Sequence, residues 1–160
     1  MYKGLTKEQL TREYSPSSCI EDINIYIDAY IQQSKTAKEK ALKSKLVLTD
    51  LIYSCKSDTT LDLYLPNNFN AHTNKKQKLQ VYIHGGYWQE LSKEESCFAA
   101  TNFQHHDCYF AVINYSLAPK VRLEEIVEEV IVDDAATTMF NLEDLKKEQL
   151  PTKTEDYSDL

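Results

Sequence analysis

Residues 84–88 read His-Gly-Gly-Tyr-Trp. The chain has three glycines, and two of them, Gly85 and Gly86, stand side by side here. They follow the apolar run Val81-Tyr82-Ile83 and precede the single tryptophan, Trp88. Glycine lets the backbone turn with positive φ and lets another group approach the main chain closely. A turn of this kind can aim successive N–H groups at a negative oxygen. Acyl transfer needs such donors, because the attacked carbonyl oxygen becomes an oxyanion in the transition state. An ordinary strand-to-helix turn would use the same glycines. What favours chemistry is the order: a buried strand, the His-Gly-Gly, then a capped helix.

The other reactive side chains have weaker claims. Ser92 and Ser96 fall at a helix start, and Ser116 in "NYSLAP" has no neighbouring glycine to permit a strained elbow. His105 and His106 read as loop residues, and His72 lies in a polar loop. Four cysteines (Cys19, Cys55, Cys97 and Cys108) are widely spaced with no C-x-x-C, which reads as free thiols rather than a metal site or a disulfide framework. No metal or cofactor is expected.

The elements that must position the His-Gly-Gly segment follow from the pattern. Residues 1 to about 17 read as a short polar helix and then a loop. Ser18 with Glu21 fits a capping box. Ile20, Ile23, Ile27, Tyr30 and Ile31 then share one helical face. The lysine-rich continuation, 35–45, reads as a solvated face. Residues 46–55 and 60–66 are β-prone and read as a hairpin, with Leu61, Leu63 and Leu65 on one face and Asp62 and Tyr64 on the other. Residues 79–83 are a buried-type strand. Ser92 and Glu95 make a second capping box, with Phe98, Ala99 and Phe103 inward. Residues 108–119 give another buried strand. Leu123 through Leu142, by way of Ile126, Val127, Val130, Ile131, Ala135, Thr138 and Met139, trace one face of a long helix. A hairpin followed by strand, helix, strand and helix argues for an α/β fold with a parallel sheet. Three regions result: a helical segment 1–45, an α/β region 46–144, and a polar, disordered tail 145–160.

Composition narrows the function classes. With 18 Lys plus Arg against 25 Asp plus Glu, the net charge is −7, which disfavours nucleic acid and anionic membranes. No apolar stretch approaches the roughly 18 residues of a membrane span. The charged N-terminus does not look like a signal peptide, so the expected compartment is the cytoplasm.

Four segments in order, "EYSPSS", "LDLYLP", "VYIHGGYWQELSKEESCFAA" and "AVINYSLAP" followed by "LEEIVEEV", resemble the kynurenine formamidase (arylformamidase) branch of the α/β-hydrolase superfamily. The resemblance covers roughly residues 10 to 135. It implies metal-free, cofactor-free hydrolysis of N-formyl-L-kynurenine to formate and L-kynurenine by a serine, with an aspartate and a histidine. By position, Gly86 and Tyr87 would offer backbone N–H groups as an oxyanion hole. Gly85 and His84 would shape and brace the loop, and Trp88 would line the pocket.

The nucleophile of this superfamily sits in Gly-x-Ser-x-Gly, and its aspartate and histidine follow in chain order. None of the chain's serines has that setting. The resemblance therefore implies the N-terminal half of the fold, ending before the nucleophile strand, and a chain inactive alone. Strand 79–83 would then form an exposed edge open to pairing with another chain. Two alternatives stand beside this reading. One is a non-catalytic binding or regulatory module, and the other is a carboxylesterase-type hydrolase acting on an ester rather than a formamide.

Overall fold

The computed structural model describes residues 4–54, 59–70 and 77–131. The predicted helix beyond Ile131, the tail 145–160, most of the hairpin connection, Cys55 and His72 lie outside the described residues.

A seven-residue helix, α1 (Lys7–Glu13), opens this part of the chain. Thr6 accepts from the Gln9 N–H at 3.2 Å, and Gln9 reaches back to the Thr6 N–H at 2.8 Å. The second helix, α2 (Asn24–Lys43), starts later than its expected capping box. Ser18 lies instead in a short 3-10 turn, Pro16–Cys19, and the Asp22 carboxylate accepts from the Asn24 N–H at 2.9 Å. That bond closes a turn just ahead of the helix, whose N-cap residue is Ile23 without a side-chain cap, and an S-x-x-E spacing alone does not decide where the helix starts. The helix stops with Lys45 in the left-handed region (φ 56°). Leu46 N–H then bonds to the Ala41 carbonyl and Lys45 N–H to that of Leu42, the Schellman arrangement with lysine where glycine is usual. Ser34, Ala37 and Ala41 form the buried stripe of α2. Its expected isoleucine face is largely exposed at Ile20, Ile23 and Ile27.

Among the described residues, four strands form one sheet: β1 (Val47–Ile52), β2 (Thr60–Tyr64), β3 (Leu79–Ile83) and β4 (Tyr109–Ile113), in the order β1-β2-β4-β3. β1–β2 and β2–β4 pair antiparallel, while β3–β4 pair parallel with Leu79 opposite Tyr109 and Ile83 opposite Ile113. Parallel neighbours need a crossover. Here it contains α3 (Ala100–His105), shorter than the Ser92–Glu95 spacing suggests. Ser92 Oγ does bond Glu95 at 2.5 Å, but the segment that follows is a series of turns. A further helix, α4 (Leu123–Val130), follows β4, with Glu125 capping the Arg122 N–H at 2.9 Å.

The sheet is covered on both faces near its centre. Leu61, Leu63 and Leu65 pack with Tyr109, Ala111 and Ile113 on one face. Tyr64, Phe110 and Val112 pack with Ala37, Ala41, Cys97 and Ala100 on the other. The period-2 alternation of "LDLYL" thus sorts residues between two dry faces rather than between core and solvent. Asp62 is consequently buried, at 0% exposure. Lys93 (3% exposed) pairs with it directly and also reaches Asp50 at 2.5 Å. Lys38 meets the other Asp62 oxygen at 2.9 Å and pairs with Glu94. Burying a lone carboxylate is costly, and two ammonium partners offset much of that cost. Lys38 is therefore no solvated lysine, unlike its neighbours Lys40 and Lys43. A bulge between Leu48 and Leu51 places Asp50 at positive φ and turns its N–H onto Asp62 at 3.1 Å.

Among the described residues, strand β3 lies at the edge of the sheet, paired on one side with β4. Leu79, Val81 and Ile83 are 56%, 41% and 52% exposed. They share the face of Ala111 and Ile113, where Val130 of α4 packs against the core cluster. Leu123, Val127 and Ile131 of the α4 region remain exposed too.

Candidate active-site loop

The loop 84–91 leaves the C-terminal end of β3, beside the segment Asn114–Ser116 that leaves the C-terminal end of β4. Ligands of open α/β sheets bind at such strand ends. A cleft of about 370 Å³ lies here, lined by Thr60, Leu91, Ser92, Asn114, Tyr115, Leu117 and Lys120.

The turn's requirement for glycine falls on Gly86. Its φ is +103°, and a Cβ there would stand 2.0 Å from the Glu90 carbonyl oxygen. Gly85 would tolerate a Cβ, with nothing within 4 Å. Tyr87 and Trp88 follow with φ of 55° and 62°, so three successive residues are left-handed. Side-chain residues rarely adopt such angles, and runs of them cluster at functional sites.

The peptide planes in this turn are held from their carbonyl sides. The Gly85 carbonyl accepts from His84 Nδ1 at 2.8 Å and lies 3.4 Å from the Tyr115 hydroxyl. In a trans peptide the N–H points opposite to its C=O. The Gly86 N–H therefore faces away from His84 and Tyr115. The Gly86 carbonyl accepts from the Gln89 and Glu90 N–H groups, both at 3.0 Å, which sets the Tyr87 N–H in the same way. Among the described residues, neither the Gly86 nor the Tyr87 N–H has a protein acceptor.

His84 is 3% exposed, and its ring stacks on Tyr115 with centroids 4.2 Å apart. Bonding to a carbonyl requires the proton on Nδ1, so Nε2 is an acceptor. It is buried with no partner. Burial lowers the imidazole pKa, opposed by the Gly85 bond, and favours the neutral ring. The Tyr115 hydroxyl donates to the His84 carbonyl at 2.7 Å. Sequence reasoning passed over Tyr115, and only its closeness to the loop reveals it. Tyr87 is 81% exposed and its ring leans on Trp88, itself half-exposed; Trp88 anchors the loop by its carbonyl, which accepts from Ala118 N–H at 2.8 Å.

The remaining candidates are dispersed. Ser92 bonds Glu95, Ser96 accepts from Tyr30 at 2.8 Å, and Ser116 is held by Glu129 through its N–H at 2.7 Å. His105 and His106 end α3, away from the loop. Among the described residues no three His, Cys, Asp or Glu side chains gather as metal ligands, and no helix is long and apolar enough to cross a membrane.

No protein-family model matches the chain. Over 131 residues, 81% of its length, it is 32% identical to kynurenine formamidase of Danio rerio and 31% identical to that of Salmo salar. The chain is similar to the kynurenine formamidases. It spans 43% of the length of each of these two relatives. The fly protein of the same name, from Drosophila melanogaster, is 33% identical over 61 residues. Among solved structures, one described as a thioesterase, from Silicibacter sp. TM1040, superposes with a TM-score of 0.65 at 22% identity, covering 79% of this chain and 45% of that one. That likeness concerns the fold alone: the described strands and helices of this formamidase relative form part of an α/β-hydrolase fold.

Proposed function

We propose that this chain contributes one side of the catalytic centre of a serine hydrolase, with Gly86 and Tyr87 N–H groups as oxyanion donors. The observation that carries this is the pair of unengaged N–H groups in a turn whose Gly85 and Gly86 carbonyls are both held by hydrogen bonds. Donors fixed in advance need no reorganisation as charge develops on the substrate oxygen. The family relationship directs the reading toward a formamide: water cleaves N-formyl-L-kynurenine into formate and L-kynurenine. Trp88, beside the loop, would line the substrate's pocket, with His84 and Gly85 bracing and shaping the turn.

The nucleophile must come from residues other than these 160, which contain no Gly-x-Ser-x-Gly. The free side of β3 is where a strand carrying it would pair. A strand parallel to β3 would end beside Gly86 and Tyr87. The polypeptide of residues 1–160 alone is then inactive, acts in the cytoplasm only with that strand supplied, and needs no metal or cofactor.

The test joins this chain to the part of the zebrafish relative that it does not span. The expected result is hydrolysis of N-formyl-L-kynurenine by the chimera and none by residues 1–160. Turnover of a phenyl ester but not of the formamide would favour the carboxylesterase reading. A folded chimera with neither activity would favour a binding module that uses the β3 edge for association.

A further inference from the structure

We propose that Tyr115 is a positioning residue that sets the direction of the Gly86 N–H through the two carbonyls before it. As a role in catalysis, this rests on the oxyanion reading above. As a statement about the loop, it does not.

The Gly86–Tyr87 plane is fixed within the turn, by Gln89 and Glu90. The two planes before it have no such local support. The His84–Gly85 plane is held by the Tyr115 hydroxyl at 2.7 Å, and the Gly85–Gly86 plane by His84 Nδ1 at 2.8 Å with the same hydroxyl at 3.4 Å. Gly85 has no side chain and open space around its Cα, so nothing steric prevents its peptide from rotating. His84 in turn owes its ring orientation to the stack on Tyr115, 4.2 Å between centroids and 9° from parallel. Tyr115 therefore acts on the Gly85 peptide from both ends: its single hydroxyl proton goes to the His84 carbonyl at 2.7 Å, leaving only a long contact of 3.4 Å to the Gly85 carbonyl, and its ring supports the imidazole that holds that carbonyl. It is itself anchored one residue from Ser116, whose N–H is held by the buried Glu129 of α4. One oxyanion donor thus depends on the β4 end, and the other depends only on its own turn.

That division gives a specific experiment. Tyr115→Phe keeps the ring and removes the hydroxyl. In the 15N-labelled chain of 160 residues, amide order parameters would be measured for Gly86 and Tyr87. The Gly86 value is expected to fall from about 0.85, typical of rigid backbone, toward 0.6 or below, while Tyr87 stays rigid. An unchanged Gly86 amide in a folded variant overturns the proposal. So does equal loosening of Gly86 and Tyr87, which would mean a general loss of packing. Should the variant fail to fold, the wild-type chain decides. A Tyr115 hydroxyl proton slow enough to observe, with a cross-peak to Gly85, supports the assignment, and its absence overturns it. None of these readouts needs turnover. An inactive chimera would count against the hydrolase reading and leave the role of Tyr115 to be judged by the spectra.

Discussion

Replacing Gly86 by alanine isolates the turn from everything around it. At Gly86 the new Cβ would lie 2.0 Å from the Glu90 oxygen and 2.6 Å from its carbon. No rotamer relieves this contact, because both partners are backbone. The turn must open, and the bond from Glu90 N–H to the Gly86 carbonyl goes with it. Left-handed geometry costs a residue with a side chain about 1–2 kcal/mol, and a lost hydrogen bond adds about 1 kcal/mol. The sum is about 2–3 kcal/mol, a large share of the 5–15 kcal/mol typical of a domain. Gly85→Ala meets no atom within 4 Å and no positive φ. It is expected to be neutral or to stabilise by about 0.4–1 kcal/mol, because it restricts the unfolded chain. Urea unfolding of both variants alongside the parent supplies the comparison. Equal midpoints for the two variants, or a Gly86→Ala as stable as the parent, would refute the reasoning about which glycine makes the turn.

Four other outcomes follow from the described contacts. Lys93→Met leaves the buried Asp62 with Lys38 alone and should lower the unfolding free energy by about 3–5 kcal/mol, with part recovered in the double variant with Asp62→Leu; no recovery would speak against the pair as the cause. Lys45→Gly relieves the left-handed position after α2 and should raise stability by about 1 kcal/mol in the same urea assay. Burial lowers the His84 pKa below its ordinary value of 6.5, so the unfolded chain binds the proton more readily; stability is full above pH 6.5 and falls as the pH drops below it, a loss that melts at pH 7.5 and 5.5 should show shrinking in His84→Gln. Alkylation followed by mass spectrometry should mark the exposed Cys19 quickly in the native protein and Cys97, buried with its thiol pKa raised by burial, only through unfolding.

The strands were legible because each carries its own signal. "LDLYL" alternates, "YFAVI" is continuously apolar, and both lie where the sequence places them, with the actual ladders trimmed to Thr60–Tyr64 and Tyr109–Ile113. The segment 79–83 shows as a strand, at the edge of the sheet among the described residues. Helix starts were less legible. Ser18-x-x-Glu21 and Ser92-x-x-Glu95 both have the capping spacing, yet one lies in a 3-10 turn and the other in a chain of turns. The spacing reports a local hydrogen bond that several turn types can make. The ion network around Asp62 was hidden for another reason. Lys38, Asp50, Asp62 and Lys93 come from four separate parts of the chain, and no local pattern distinguishes a lysine that will find a buried partner from one that will not. The loop itself was legible as His-Gly-Gly-Tyr-Trp. Its brace was not, since Tyr115 sits 31 positions after His84 and meets it only through the parallel pairing of β3 with β4.

The loop offers its donors from the main chain, while the Tyr87 side chain points outward at 81% exposure. An alanine scan would therefore pass over position 87, because alanine carries the same N–H. Only proline removes that group, and its ring fixes φ near −65°, far from the 55° found at Tyr87. Side chains at such a position can drift through generations without touching the hydrogen-bonding capacity of the turn. Inheritance of that capacity rests instead on a methylene at Gly86, and comparisons of reactive side chains among descendants would miss it.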